Sequence, residues 1–229
     1  MNTSLIDAVL AVTLAPPCAA CTRPLEAPSR GPVCPACWAS IPLTAPRFSP
    51  SVHIATGRAA GEYAGALRDV IHVFKYEGRR SLARPLAAMI RAAAAELLAD
   101  ADCVVPVPLH PWRRIRRGFN QAADLARGLG AGGAAGGDIA VVSALWRVHA
   151  TPQQMGLPAP ARRRNVRGAL RLSPLLQTRT YDRAIAGRVV VLVDDVRTTG
   201  ATLEACAEVL LEAGAREVRA VTAAFARRL

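Results

Sequence analysis

Apolar runs and apolar periodicities alternate along the last two thirds of this chain. From Arg188, the stretch to Val193 is almost wholly apolar, the pattern of a strand buried on both faces of a parallel sheet. Cys103 to Pro108 forms a second buried strand running into a loop, Ile139 to Val148 a further strand, and Glu217 to Phe225 the last. The helical period recurs between them. It predicts helices over residues 62–76 and 81–99, with Gly78, Arg79 and Arg80 at the turn, then over Phe119 to Leu129, and over Thr202 to Ala213 where Gly214 closes it. Strand and helix in alternation predict an α/β domain, a parallel sheet flanked by helices.

Three stretches interrupt the pattern. Ile41 to Pro50 is proline-rich, Gly128 to Gly137 is glycine-rich, and residues 149–168 carry Pro152, Pro158, Pro160 and an arginine run. The last predicts a long loop of the kind used as a lid or binding loop. The chain divides on this basis into an N-terminal module at 1–47, a linker at 48–60 and the α/β domain at 61–229. Met1 to Ala15 is expected to form a short amphipathic helix. It has no Lys/Arg start and carries Asp7, which does not suit a signal peptide. No segment is long enough for a transmembrane helix, and a cytoplasmic setting is expected.

Cys18, Cys21, Cys34 and Cys37 give the spacing C-x2-C, twelve residues, C-x2-C. Each pair forms a knuckle with two sulfurs facing one point, and four thiolates fill the tetrahedron that structural zinc takes. Pro17, Pro24, Pro28, Pro32 and Pro35 stiffen a module with little core of its own. A redox dithiol pair and two disulfides are the alternatives, and the doubled spacing and cytoplasmic expectation disfavour both. Cys103 and Cys206 fall on a strand and a helix and are expected to be buried, inert thiols.

Charge adds a partner class. The formal net charge is +12, and Lys75 is the only lysine. Residues 113–167 hold ten arginines against Asp124 and Asp138, so the basic character sits in the middle of the chain. Guanidinium forks match phosphate oxygens. At the end of the central strand stand Asp194 and Asp195, then Val196, Arg197, Thr198, Thr199, Gly200, Ala201 and Thr202. Amide groups at a helix start favour an anion by ~0.3–2 kcal/mol. Gly200 admits close backbone approach, and the threonine hydroxyls can donate to a phosphate, while paired carboxylates can accept from sugar hydroxyls. The segment lacks G-x4-G-K-[ST] and has no lysine nearby, so it is not a P-loop.

V-L-V-D-D-V-R-T-T-G-A-T resembles the PRPP-binding signature of type I phosphoribosyltransferases. P-V-P-L-H-P, R-G-F-N-Q-A, R-x-N-V-x-G-A and K-Y-x-G, behind the cysteine module, together resemble the ComF/GntX family, although Leu170 stands where that family often has an aromatic residue. The resemblance implies a type I phosphoribosyltransferase-like fold with a zinc ribbon. It implies PRPP with Mg2+, ribose held by the candidate catalytic pair Asp194 and Asp195, and the 5-phosphate held by residues 198–202. Pyrophosphate would lie on the Pro108 to Phe119 loop, with Arg113 and Arg117, and a lid would cover His149 to Gly168. Among the histidines only His110, beside that loop, is singled out.

The family's link to DNA uptake in some bacteria keeps a second reading open. In it, the PRPP site is kept while arginines beside Phe74, Tyr76, Trp112 and Phe119 bind single-stranded DNA, with DNA-uptake proteins as partners. A nucleotide-sensing regulator that binds a partner through the zinc module is a third.

Overall fold

The computed structural model describes residues 6, 7, 10, 16–109, 111–131, 138–148, 169–173 and 184–226, the side chains of Arg113 and Arg114 excepted. The expected N-terminal helix falls mostly outside these residues, as do the segment 149–168, His110 and His149. Five parallel strands form the sheet: β1 (Thr56–Glu62), β2 (Cys103–Pro106), β3 (Ala140–Val141), β6 (Val189–Arg197) and β7 (Glu217–Phe225), in the order β1-β7-β6-β2-β3. β4 (Leu145–Arg147) and β5 (Leu170–Leu172) make a separate antiparallel pair.

The helices are α1 (Pro35–Ala39), α2 (Gly65–Tyr76), α3 (Ala83–Ala93), α4 (Ala95–Leu98), α5 (Pro111–Arg117), α6 (Gln121–Gly130) and α7 (Ala201–Glu212). β6 lies between β7 and β2, so Val189 to Val193 are wholly buried, which accounts for their apolar run. Alternate residues serve opposite faces. Val191 and Val193 join a core built with α2, α3 and α6, whereas Val190 and Leu192 join one built with α7, Phe48, Leu145 and Leu170.

The structure corrects several expectations. The 48–60 segment is only in part a connection, because it runs into strand β1. That strand also pairs with the proline-rich stretch: the amide of Phe48 donates to Gly57 and that of Ala59 to Pro46. β1 was hard to read because its sequence, Thr-Gly-Arg-Ala-Ala-Gly-Glu, is small-residue and weakly apolar. Smallness is nonetheless required there. A β-carbon on Gly57 would meet Phe48 at 2.2 Å and the Ala220 carbonyl at 2.7 Å.

The predicted helix at 62–76 therefore starts at Gly65, and the one at 81–99 breaks at Ala94 into α3 and α4. Residues 139–148 are two short strands in different sheets. The stretch Pro108 to Phe119 contains helix α5.

Candidate functional site

The four module cysteines converge. Their sulfurs all lie within 4.8 Å of one another, and Cys21 and Cys34 are 3.8 Å apart. Sulfurs about 3.8 Å apart are what a tetrahedron with ~2.3 Å zinc–sulfur bonds requires. The amides of Ala20 and Cys34 donate to Cys18 Sγ at 3.5 and 3.3 Å, favouring its thiolate form. The donor set fits zinc and the cluster is consistent with a zinc ribbon. The module is not isolated: Cys18, Leu25, Val33, Cys37 and Ile41 belong to the same core as Leu67 and Val70 of α2.

The two acids lie inside β6 rather than beyond its end, because the strand continues to Arg197. Being consecutive on a strand, they serve opposite faces. Asp195 is buried at 8% exposure and meets Lys75 of α2, with Nζ 2.8 Å from Oδ1. Asp194 is only partly exposed and accepts the Asp195 amide at 2.8 Å.

Burial pushes the Asp194 carboxyl up to about 7, and the Asp195 charge adds to the rise. The Asp195 amide, Lys75 and Arg147 pull against it. For Lys75, burial disfavours the charge, but the two carboxylates outweigh it and hold the ammonium above its ordinary range. The expectation of no lysine nearby is thus corrected in space: the chain's single lysine, far off in sequence, sits on the acid pair.

The turn after β6 is open. Thr198 and Thr199 are exposed, and Gly200 caps α7 with φ +78°, a left-handed conformation that glycine adopts readily. The Ala201 amide takes Thr199 Oγ1 at 3.3 Å, and among the described residues the amides of Thr198, Thr199 and Gly200 find no protein acceptor. A small pocket is lined by Asp194, Arg197, Thr198, Thr199, Gly200, Ala201 and Thr202, so every predicted residue of the loop is brought together. Glu204, in the first turn of α7, receives the His53 amide at 3.0 Å and Ser51 Oγ. It ties the segment read as linker to the base of the turn.

Arg117 stacks over Tyr76 at 5.0 Å and donates to Gln121 Oε1, whose amide reaches the Lys75 carbonyl. It therefore stands against the end of α2 that carries Lys75. The Arg113 side chain lies outside the described residues. Phe74 and Phe119 are core residues, 5.6 Å apart and buried, which removes them as stacking surfaces. A cavity of about 780 Å³ lies elsewhere, between α3 and α6. Three of its arginines are committed: Arg80 and Arg127 clamp buried Asp124, and Arg91 donates to the carbonyls of Gly128, Leu129 and Ala131.

Residues 83–228 match the phosphoribosyl transferase domain family. The DNA utilization protein YhgH of Escherichia coli O6:H1 is 31% identical over 219 residues, covering 88% of this chain and 87% of that protein. Competence protein F of Haemophilus influenzae is 34% identical, covering 69% of this chain and 68% of that protein. This chain belongs to the phosphoribosyl transferase family, in its ComF/GntX branch.

The match to YhgH of E. coli K12, 34% identical, spans 66% of that protein and 69% of the ComF-type chain. Among solved structures, a hypoxanthine phosphoribosyltransferase from Staphylococcus aureus aligns at 13% identity over 62% of each chain, with a TM-score of 0.35. Among the described residues of the ComF-type chain, no helix is long and apolar enough to cross a membrane. Two residues beside the candidate site were quoted in the sequence motifs without a role of their own, Lys75 and Arg197. Lys75 carried a usable signal as the lone lysine in K-Y-x-G. Arg197 stands inside the V-D-D-V-R-T-T-G string, but its stacking was not legible there, since its neighbours Phe48 and Phe225 are distant in sequence.

Proposed function

We propose that this chain binds PRPP, or another ribose 5-phosphate ligand, and transfers the phosphoribosyl group to an acceptor with magnesium. The observation that carries the proposal is an open strand–turn–helix whose amides lack protein acceptors, next to a carboxylate pair held by Lys75. The 5-phosphate sits on residues 198–202, and Asp194 and Asp195 accept hydrogen bonds from the ribose hydroxyls. The acceptor's nucleophile bonds to C1 as the C1–O bond to pyrophosphate breaks, and Arg117, with Arg113, balances charge on the leaving group. Magnesium arriving with PRPP supplies further neutralisation of the pyrophosphate.

Calorimetry on the zinc-loaded protein should show magnesium-dependent PRPP binding, weakened at least about tenfold by Asp194→Ala or Thr199→Ala. Absence of binding by the unaltered protein would sink the proposal.

A second reading is favoured by one surface. Tyr76, Trp112 and Ile115 are 59%, 74% and 75% exposed, beside Arg116 and Arg117. Aromatic faces beside guanidinium groups suit a single strand of DNA, and the relatives' names point to DNA utilization and competence. Affinity for single-stranded DNA should fall steeply with salt, and further in a Trp112→Ala, Arg116→Ala, Arg117→Ala triple variant. Equal affinity in that variant would remove this reading.

A further inference from the structure

We propose that Arg197 is a dedicated anchor for the 5-phosphate and makes this site selective for phosphorylated ribose. The inference rests on the phosphoribosyl reading above and adds a residue that the threonine and glycine turn does not require.

Its position is built from three strands. Arg197 and Phe225 are register partners on β6 and β7. Phe48, from the stretch ahead of β1, sits over Gly57 and packs 6.2 Å from the Phe225 ring. The Arg197 guanidinium lies over both rings, 4.5 Å from the centre of Phe48 and 5.3 Å from that of Phe225. Stacking engages the face of a guanidinium and leaves its in-plane N–H fork free. That fork is beside the turn: a β-carbon on Gly200 would be 3.0 Å from Nε and 3.2 Å from one terminal nitrogen. Arg197 lines the same small pocket as Asp194, Thr198, Thr199 and Thr202.

The charge lacks a protein partner. Among the described residues, the Arg197 guanidinium makes no hydrogen bond and no ion pair. By contrast Arg58 meets Glu96, Arg188 meets Asp102, and Arg219 meets Asp100 and Glu217. The acid acting on it, Glu204, is engaged by Ser51 and His53. Partial burial works against the charge and lowers the basicity of Arg197, and Glu204 offsets this only in part. A guanidinium partly removed from water with its fork unmatched is less well solvated until an anion arrives. Unbonded amides, three threonine hydroxyls and a helix start converge on the same pocket. Together they specify a tetrahedral anion carrying two charges, which is a phosphate monoester.

The test uses full-length zinc-loaded protein, with ribose 5-phosphate and magnesium pyrophosphate as separate calorimetric probes. Arg197→Met keeps much of the stacking volume and removes the fork; Arg197→Lys returns the charge without it. Ribose 5-phosphate affinity is expected to fall about 10–100-fold in Arg197→Met and to recover partly in Arg197→Lys. Pyrophosphate affinity should stay within about twofold of the unaltered protein, because its site lies on α5. If the unaltered protein binds ribose 5-phosphate and Arg197→Met binds it equally well, the anchor is refuted while the phosphoribosyl reading stands. An equal loss for both probes would also refute it, as a general defect. If the unaltered protein binds neither ribose 5-phosphate nor PRPP, both readings fall.

Discussion

Stripping zinc from this protein should lower its melting temperature by at least about 10 °C, and the loss should reach beyond the first forty residues. Structural zinc contributes roughly 10–16 kcal/mol of apparent binding free energy in small peptides, where metal binding and folding are one event. Here the module has few apolar residues, and those it has are shared: Cys18, Leu25, Val33, Cys37 and Ile41 pack into the core that α2 and α3 form over the sheet. When the four thiolates separate, these side chains lose their anchorage, and Leu67 and Val70 are exposed in turn. A metal-release assay should return one zinc per chain, and Cys37→Ser should yield protein without it. Loss of near-ultraviolet ellipticity on chelation would report the damage to the shared core. The idea fails if chelated and zinc-loaded protein melt together, or if fully reduced protein carries no metal.

The same sharing explains what the sequence disclosed and what it withheld. The cysteine knuckles were legible because zinc ligands are local and their spacing is rigid. The β6 run was legible because burial on both faces leaves only Val and Leu from 189 to 193. β1 was not, because its identity as a strand comes from neighbours. Phe48 fills the space over Gly57, and Ala59 and Ala60 are buried by packing that begins far away in sequence.

The site divides in the same way. The turn from Thr198 to Thr202 is one contiguous segment and shows itself in the string. The cations that attend it arrive by tertiary folding: Lys75 at the end of α2, and Arg197 by its placement over Phe48 and Phe225. Even the consecutive acids were only half legible. Their adjacency suggests a matched pair, but strand geometry turns one toward α2 and the other toward α7, so they inhabit different surroundings.

That difference leads to a second large effect: Asp194→Asn should make the ligand-free protein more stable while abolishing PRPP binding. Asp194 has its folded pKa raised to about 7 from an ordinary 3.8, chiefly by burial and then by the Asp195 charge. A raised carboxyl pKa means the native state holds a proton that the unfolded state releases. The contribution is therefore fully present below about pH 4 and is lost as pH rises through about 7. Asparagine keeps the shape and carries no such dependence.

At pH 8 the variant should gain ~2 kcal/mol, roughly half of full linkage because Asp194 keeps partial contact with solvent. That corresponds to about 4–8 °C in melting temperature. The gap should narrow steadily toward pH 4. The groups acting on Asp194 are Asp195, Lys75 and Arg147, with the buried Cys206 thiol on α7. The substitution leaves these side chains in place, and Lys75 and Cys206 are both held above their ordinary ranges, outside pH 4–8, so the change in slope belongs to Asp194 itself. Melting curves of the two proteins from pH 4 to pH 8 decide the matter. Parallel curves would mean that Asp194 is not strained in the free protein. A variant that gained stability and still bound PRPP normally would remove this carboxylate from the ribose site.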